Sequence, residues 1–505
     1  MVNKKTVFKA ALGLSFVSII SKLLGFAREQ AIAWRFGAGA AVDAYVAALV
    51  IPTIISGVVG GALSTAFLPV YSEWRNTAKG KRLAGSVSWL NSLLGLLGSI
   101  AALHFAPFLV RVLVGNFSPE QQRLTVDLLR ILSFGTLLMS VSFFLTMLFN
   151  SHQLFLLPAL NPVIQNVIIV VGVLAFGAAG IVGVAYAALI AMVLPVVLLF
   201  GWALYKNYPI LVRPKFLDPQ FARVLRLAVP IFVAGLFGQL YVVVDRRLAS
   251  GLDIGSIAAL NFANRLVQLP FGIFVMALST AVFPTLADLA ARGDKKAFAE
   301  ALVASLRGLL LLLVPASVGL LVLREPIVRL AFERGSFDAA DTAKTALALG
   351  FYALGLLGLS AGTVMTRAFY SLQDTLTPVK IGVLTAIFNA LLAVLLVGPL
   401  EHGGLALANS LGVSLSALAL LVMLKKKLGP VPMGLLPLLG KVMLCALCMG
   451  IASHFIYTLF RPSGEVISLA AAMGGGVAVY GAGLLAMRVD EVSWILNKFR
   501  QRTRL

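Results

Sequence analysis

The residues with chemistry to offer are ionisable ones set inside apolar runs. Ser21, Lys22, Gly25, Arg28 and Glu29 interrupt the first such run, and Asp43 opens the second. Asp245, Arg246 and Arg247 close the seventh, Asn264 and Arg265 lie in the eighth, and Arg367 lies near the end of the tenth. A charged side chain at the centre of a membrane helix costs about 2.5–3.5 kcal/mol even on a lenient insertion scale, so it calls for a cavity, an ion partner or a substrate. Arg246, Arg247 and Arg367 are close enough to run ends to reach the headgroups along their stems. Lys22, Arg28 and Arg265 are deeper and are read as lining a cavity, with Glu29 and Asp43 as the acids beside them. On a helix Ser21, Gly25 and Arg28 share one face at i, i+4 and i+7, which puts a small gap beside a guanidinium. Arg265 stands five residues before Pro270, which is expected to kink the eighth run. A cation exporter would want buried carboxylates; bases in runs one and eight instead suit an anion. Guanidinium pairs bidentately with phosphate, so the expected cargo bears phosphate, and a lipid with a phosphorylated headgroup satisfies both the charge and the apolar surroundings.

The elements that must position these residues follow from composition. Of 505 residues 60% are hydrophobic and 12% charged, with mean hydropathy +0.98. Soluble domains run near half apolar and a quarter charged, so the solvent here is a bilayer. A spanning helix takes about 20 apolar residues. The chain offers fourteen candidate runs, at 7–35, 41–72, 84–113, 123–150, 155–177, 180–205, 220–250, 254–289, 299–323, 341–371, 376–398, 403–424, 434–460 and 465–487. Little is left for an extramembrane domain, which excludes most enzymes that carry a catalytic domain on an anchor. The fold expected is all-α and integral to the membrane. The net charge of +21 is explained by basic loops on one side: Arg75 to Arg82, Lys206 to Lys215, Arg292 to Lys296, Lys425 to Lys427, and a tail with Lys498, Arg500, Arg502 and Arg504. By the positive-inside rule these are cytoplasmic, as are both termini; no nucleic-acid partner is needed to account for them. Lys4 and Lys5 before an apolar run imitate a leader peptide, but the run continues through Lys22 and Arg28, so it is read as a retained first span. Cys445 and Cys448 are read as packing residues, the four histidines match no metal-ligand spacing, and no Gly-x-x-x-x-Gly-Lys-Ser/Thr phosphate loop occurs. No cofactor is expected.

The chain repeats itself. Ala62-Leu63-Ser64-Thr65-Ala66 with Pro69 recurs as Ala277-Leu278-Ser279-Thr280-Ala281 with Pro284, and Phe149-Asn150-Ser151-His152-Gln153 with Pro158 recurs as Phe369-Tyr370-Ser371-Leu372-Gln373 with Pro378. The spacings, 215 and 220 residues, imply two lobes of six spans, 1–205 and 206–427, inserted the same way up around a central cavity. Residues 428–505 hold two further spans and the basic tail. Gly57 with Gly61, and Gly358 with Gly362, have the spacing that lets helices approach closely.

Ser21-Lys22-Leu23-Leu24-Gly25-Phe26-Ala27-Arg28-Glu29, Phe36-Gly37-Ala38-Gly39 and Val42-Asp43-Ala44-Tyr45 closely resemble the opening of the MurJ (MviN) lipid II flippases. So do Gly61 to Pro69, Asn264-Arg265-Leu266 through Pro270, and Gln373-Asp374-Thr375 with Thr377-Pro378. The resemblance runs from span one to span eleven. It implies a multidrug/oligosaccharidyl-lipid/polysaccharide exporter fold and movement of undecaprenyl-diphosphate-linked peptidoglycan precursor to the outer leaflet by alternating access. Lys22, Arg28, Asp43 and Arg265 then correspond to the substrate site, supported by Gly25, Glu29 and Asn264, and the last two spans to a groove for the lipid tail. It further implies a driving force from sodium or the membrane potential, with Asp245 as the ion-coupling candidate, and partners among the cell-wall synthesis machinery. Lys22 replaces a more usual Arg, Ser56 a further Arg, and Gln268 a Glu, so this cavity is less charged than in some relatives. Another polyprenyl-diphosphate-linked glycan, or an amphiphile exported by the same superfamily, is the alternative cargo.

Overall fold

A computed structural model describes residues 4–429, 434–489 and 491; the basic tail read from the sequence lies outside them. Helix dominates and no strand occurs among the described residues. In chain order the helices are α1 (Lys4–Phe36), α2 (Ala40–Trp74), α3 (Ala78–His104), α4 (Ala106–Val114), α5 (Pro119–Ser151), α6 (Leu156–Ala159), α7 (Asn161–Phe176), α8 (Ile181–Tyr205) and α9 (Pro219–Ala249). Then follow α10 (Ser256–Pro270), α11 (Met276–Ala291), α12 (Lys295–Val322), α13 (Arg324–Phe332), α14 (Ala339–Ser371), α15 (Leu376–Leu428), α16 (Leu435–Phe460) and α17 (Glu465–Ala486). They start where the sequence provides caps. Ser118 and Gln121 form a reciprocal capping box ahead of Pro119 at α5, Thr77 accepts from the Gly80 amide at α3, and Asp294 accepts from the Ala297 amide at α12; each satisfies an amide that the first helical turn leaves open.

Among the described residues, eleven helical stretches are long and apolar enough to cross a membrane. One of them, α15, has 53 residues and would measure about 80 Å if straight, far beyond a hydrocarbon core of about 30 Å. It breaks at Glu401, whose φ of 50° and ψ of −134° are not helical, and so supplies two crossings. The remaining two of the fourteen are not uniform apolar rods. Helix α1 carries Lys22, Arg28 and Glu29, and α10 and α11 are separated by a π-helical turn, Phe271–Val275, directly after Pro270. The bend expected at Pro270 is therefore taken up as a widened turn.

The described residues divide into two compact units, one drawn from 4–261 with 334–338, the other from 262–333 with those described beyond 338. In the first, α2, α3, α5, α8 and α9 enclose a core that includes Phe67, Tyr71, Phe144, Phe149, Leu199 and Val224. In the second, α12, α16 and α17 pack around Leu310, Val442, Cys445 and Leu484. Cys445 is thus a core residue.

Close helix approach is achieved by glycines other than some of those expected. Gly57 and Gly61 meet nothing within 4 Å, whereas a Cβ on Gly60 would lie 3.1 Å from the Ser140 backbone. The face of α2 that packs is rotated from the one the spacing suggested. Gly358 does pack, against Ser414 (2.6 Å for a Cβ there), but its close neighbour along α14 is Gly355 on Ser410 (2.6 Å), while Gly362 is only in ordinary contact.

The repeat is visible in the backbone. Left-handed conformations occur at Gly37 and Gly255, Gln153 and Gln373, Gly180 and Glu401, and Asn207 and Gly429. These four pairs are 218 to 222 positions apart and fall after spans one and seven, four and ten, five and eleven, six and twelve. A left-handed residue costs about 1–2 kcal/mol when it has a Cβ, a cost that both members bear in the Gln153 and Gln373 pair.

Candidate cationic site

The first unit buries a compact polar cluster in an otherwise apolar setting. Arg28 of α1 donates from Nη2 to Glu29 Oε1 at 2.5 Å and from Nη1 to Asn166 Oδ1 at 3.1 Å. Asn166, on α7, also donates from Nδ2 to the Ser21 carbonyl at 3.1 Å. Glu29 is 3% exposed, and its other oxygen accepts from Asn261 Nδ2 of α10 at 3.2 Å. The predicted face of Ser21, Gly25 and Arg28 is therefore real, and the gap at Gly25 is where Asn166 sits: a Cβ on Gly25 would be 3.3 Å from Asn166 Nδ2. A half-buried guanidinium among apolar helices is tolerable only when paired and hydrogen-bonded. Here one carboxylate balances its charge and one neutral amide orients it.

Asp43 lies in the first turn of α2, where the sequence places it. It is 2% exposed, and its carboxylate receives the Gly255 amide on Oδ2 at 2.6 Å and the Ala258 amide on Oδ1 at 2.7 Å. These are open N–H groups at the start of α10, where negative charge is favoured by the helix dipole. Asp43 is thus an external cap on α10, the helix that carries Asn261, Asn264 and Arg265. Its acid complements a helix end.

Lys22 and Asn264 are half-buried, and Arg265 is exposed one turn beyond Asn261 on α10. Asp245 is half-buried near the end of α9, with Oδ2 3.9 Å from Arg246 Nη1, so a cation at that carboxylate would compete with a guanidinium. Asn166 and Asn261 escaped the sequence reading, which followed charge; a polar amide inside span five was the available signal.

In the second unit, Ile273, Phe274, Leu320, Met449, Met473 and Val477 line an apolar groove of about 600 Å³. Its walls include α16 and α17, the two helices outside the repeat. Near it, Arg329 of α13 pairs with Glu325 at 2.6 Å and Glu333 at 3.5 Å, and lies 3.7 Å from Glu465 at the start of α17. These acids raise its pKa despite partial burial.

Comparison with known proteins settles the family. The family model described as lipid II flippase MurJ matches residues 32–474. The chain belongs to the MurJ family. A probable lipid II flippase MurJ of Thermotoga maritima is 32% identical over 409 residues, 80% of this chain and 82% of its own length. One from Rickettsia prowazekii is 28% identical over 95% of this chain and 96% of its own. Among solved structures, a lipid II flippase MurJ in an inward closed conformation superposes with a TM-score of 0.82 at 28% identity, covering 93% of this chain and 97% of that one. An inward-facing MATE multidrug transporter of the MOP superfamily shares the fold, with a TM-score of 0.69 at 15% identity. Like other MurJ family members, this is a multi-pass membrane protein built on the transporter fold that the repeat and span count anticipated.

Proposed function

We propose that this protein is a lipid II flippase that carries undecaprenyl-diphosphate-linked peptidoglycan precursor from the inner to the outer leaflet of a bacterial cytoplasmic membrane. The observation that carries the reading is the guanidinium of Arg28, held inside an apolar bundle by Glu29 and Asn166. Two N–H groups are committed to these partners, and a guanidinium has five, so the rest serve the oxygens of a diphosphate. Lys22 and Arg265 complete the electrostatic clamp. Glu29 re-pairs Arg28 when the cargo leaves, which keeps the empty site from holding an uncompensated charge. The apolar groove against α16 and α17 accommodates part of the polyprenyl tail. The lobes 1–205 and 206–427 rock about the site, with both termini cytoplasmic by loop charge.

Moving about two negative charges outward gains roughly 4–5 kcal/mol per 100 mV of an inside-negative potential; that field is the proposed driving force, with Asp245 as the place where a coupled sodium ion would exchange against Arg246. No nucleotide chemistry enters. The test is to deplete the protein and measure what fraction of lipid II an externally added cleaving enzyme reaches, with wild type, Arg28→Ala or Arg265→Ala supplied back. Accessibility restored by wild type alone supports the flippase and its cationic site. Accessibility that never changes, in a cell without a second flippase, moves the cargo to another polyprenyl-diphosphate-linked glycan.

A further inference from the structure

We infer that Asn166 is a positioning residue for Arg28 and sets the charge that a bound diphosphate meets. The inference rests on the reading of Arg28 as the anion clamp. Asn166 is 7% exposed, and a buried amide is costly unless its polar atoms are bonded. Both of its ends are bonded to one helix, Oδ1 to Arg28 and Nδ2 to the Ser21 carbonyl. The amide therefore bridges two turns of α1 across the missing side chain of Gly25. This fixes its orientation, because the flipped amide would set its NH2 against a guanidinium and its oxygen against a carbonyl. It also fixes Arg28, whose long side chain would otherwise keep several rotamers.

The residue type matters as well as the place. Glu29 already contributes one negative charge to Arg28. A carboxylate at 166 would keep the shape but add a second, leaving the group net anionic and repelling a diphosphate; it would also face the Ser21 carbonyl with an acceptor. A neutral acceptor orients the guanidinium without cancelling it.

The test is equilibrium binding of a fluorescent polyprenyl diphosphate to the detergent-solubilised full chain, with the thermal midpoint recorded for each variant. A hydrogen bond to a charged group is worth enough to change binding about tenfold. Asn166→Asp is expected to weaken binding tenfold or more and Asn166→Ala several-fold, with Arg28→Ala weaker than either. In the Arg28→Ala background Asn166→Ala should have no further effect, as coupled residues require. Gly25→Ala, which presses on Nδ2 without removing a polar partner, should mimic Asn166→Ala and keeps the test open if the latter does not fold. Equal losses from Asn166→Ala in both backgrounds would make the residue merely structural and overturn the inference. Wild-type binding by both Asn166 variants, with Arg28→Ala impaired, would overturn it while leaving the clamp intact. Wild-type binding by Arg28→Ala would overturn the clamp and the inference together.

Discussion

The turns after spans four and ten have the same backbone and different fastenings. In the first, Gln153 is left-handed at φ 61°, its amide bonds to the Asn150 carbonyl, and the Leu154 amide reaches back to Phe149. In the second, Gln373 is left-handed at φ 58°, its amide bonds to Tyr370, and the Asp374 amide reaches back to Phe369. This is the hydrogen-bonding of a helix C-terminus closed by a left-handed residue. Side chains then diverge. His152 stacks on Tyr208 with ring centroids 4.3 Å apart, meets the Tyr71 hydroxyl at 3.2 Å, and has Arg75 beside it on the Ser151 carbonyl. Asp374 instead pairs with Lys427 Nζ at 2.5 Å and accepts from the Thr377 amide at 3.0 Å. Duplication preserved the backbone because strain is set by local dihedrals, while tertiary neighbours were free to supply either aromatic or ionic ties. The first half fastens itself with buried groups, the second at this turn with an ion pair at the rim.

That contrast can be broken in four places. The largest effect is expected at Asp43, a buried acid of the first half. Asp43→Ala leaves the Gly255 and Ala258 amides without their acceptor and should cost about 2–3 kcal/mol, read as a lowered thermal midpoint in detergent; a loss below about 0.5 kcal/mol would mean that water replaces the cap.

The histidine tie comes next. Burial and the nearby Arg75 hold the His152 pKa below its usual value, so the folded state favours the neutral ring. Its contribution is complete above about pH 6.5 and is lost as pH falls toward the lower folded value. Amide exchange in 149–154 should therefore quicken between pH 6.5 and 5 relative to 369–374, after correction for the intrinsic rate, and His152→Phe should remove the difference.

Asp374 makes the opposite comparison. Its hydrogen bonds from Lys427 and Thr377 hold its pKa down to about 2, so its stabilisation is complete above the ordinary carboxylate range and is lost only as pH falls toward 2. Asp374→Asn should cost about 1 kcal/mol at neutral pH, since Lys427 is half-exposed and the pair is partly screened; a midpoint that does not move would reduce the pair to a surface accident.

The smallest effect should be shared. Gln153→Gly and Gln373→Gly each relieve a left-handed Cβ at the expense of chain entropy, and should raise stability by about 0.5 kcal/mol alike. Unequal gains would show that the two turns are not equivalent after all.

Fourteen crossings, the duplication and the two charged spans were legible in the sequence. Partition into a bilayer depends on the apolar content of a short window, and a charge inside such a window is visible wherever it falls. Ser21, Gly25 and Arg28 were placed on one face by helical periodicity alone. What fills that face was not legible: Asn166 is 138 residues from Arg28, and no local pattern selects it from other polar residues in apolar spans. Asp43 was recognised as an acid that matters, but two of its partners are backbone amides 212 and 215 residues away, and an amide has no sequence signature. Likewise Gly57 and Gly61 had the right spacing on the wrong face of α2. Insertion into the membrane is a sum over neighbours in the chain, whereas the site is a set of directional hydrogen bonds between helices, and only their tertiary packing decides which groups meet.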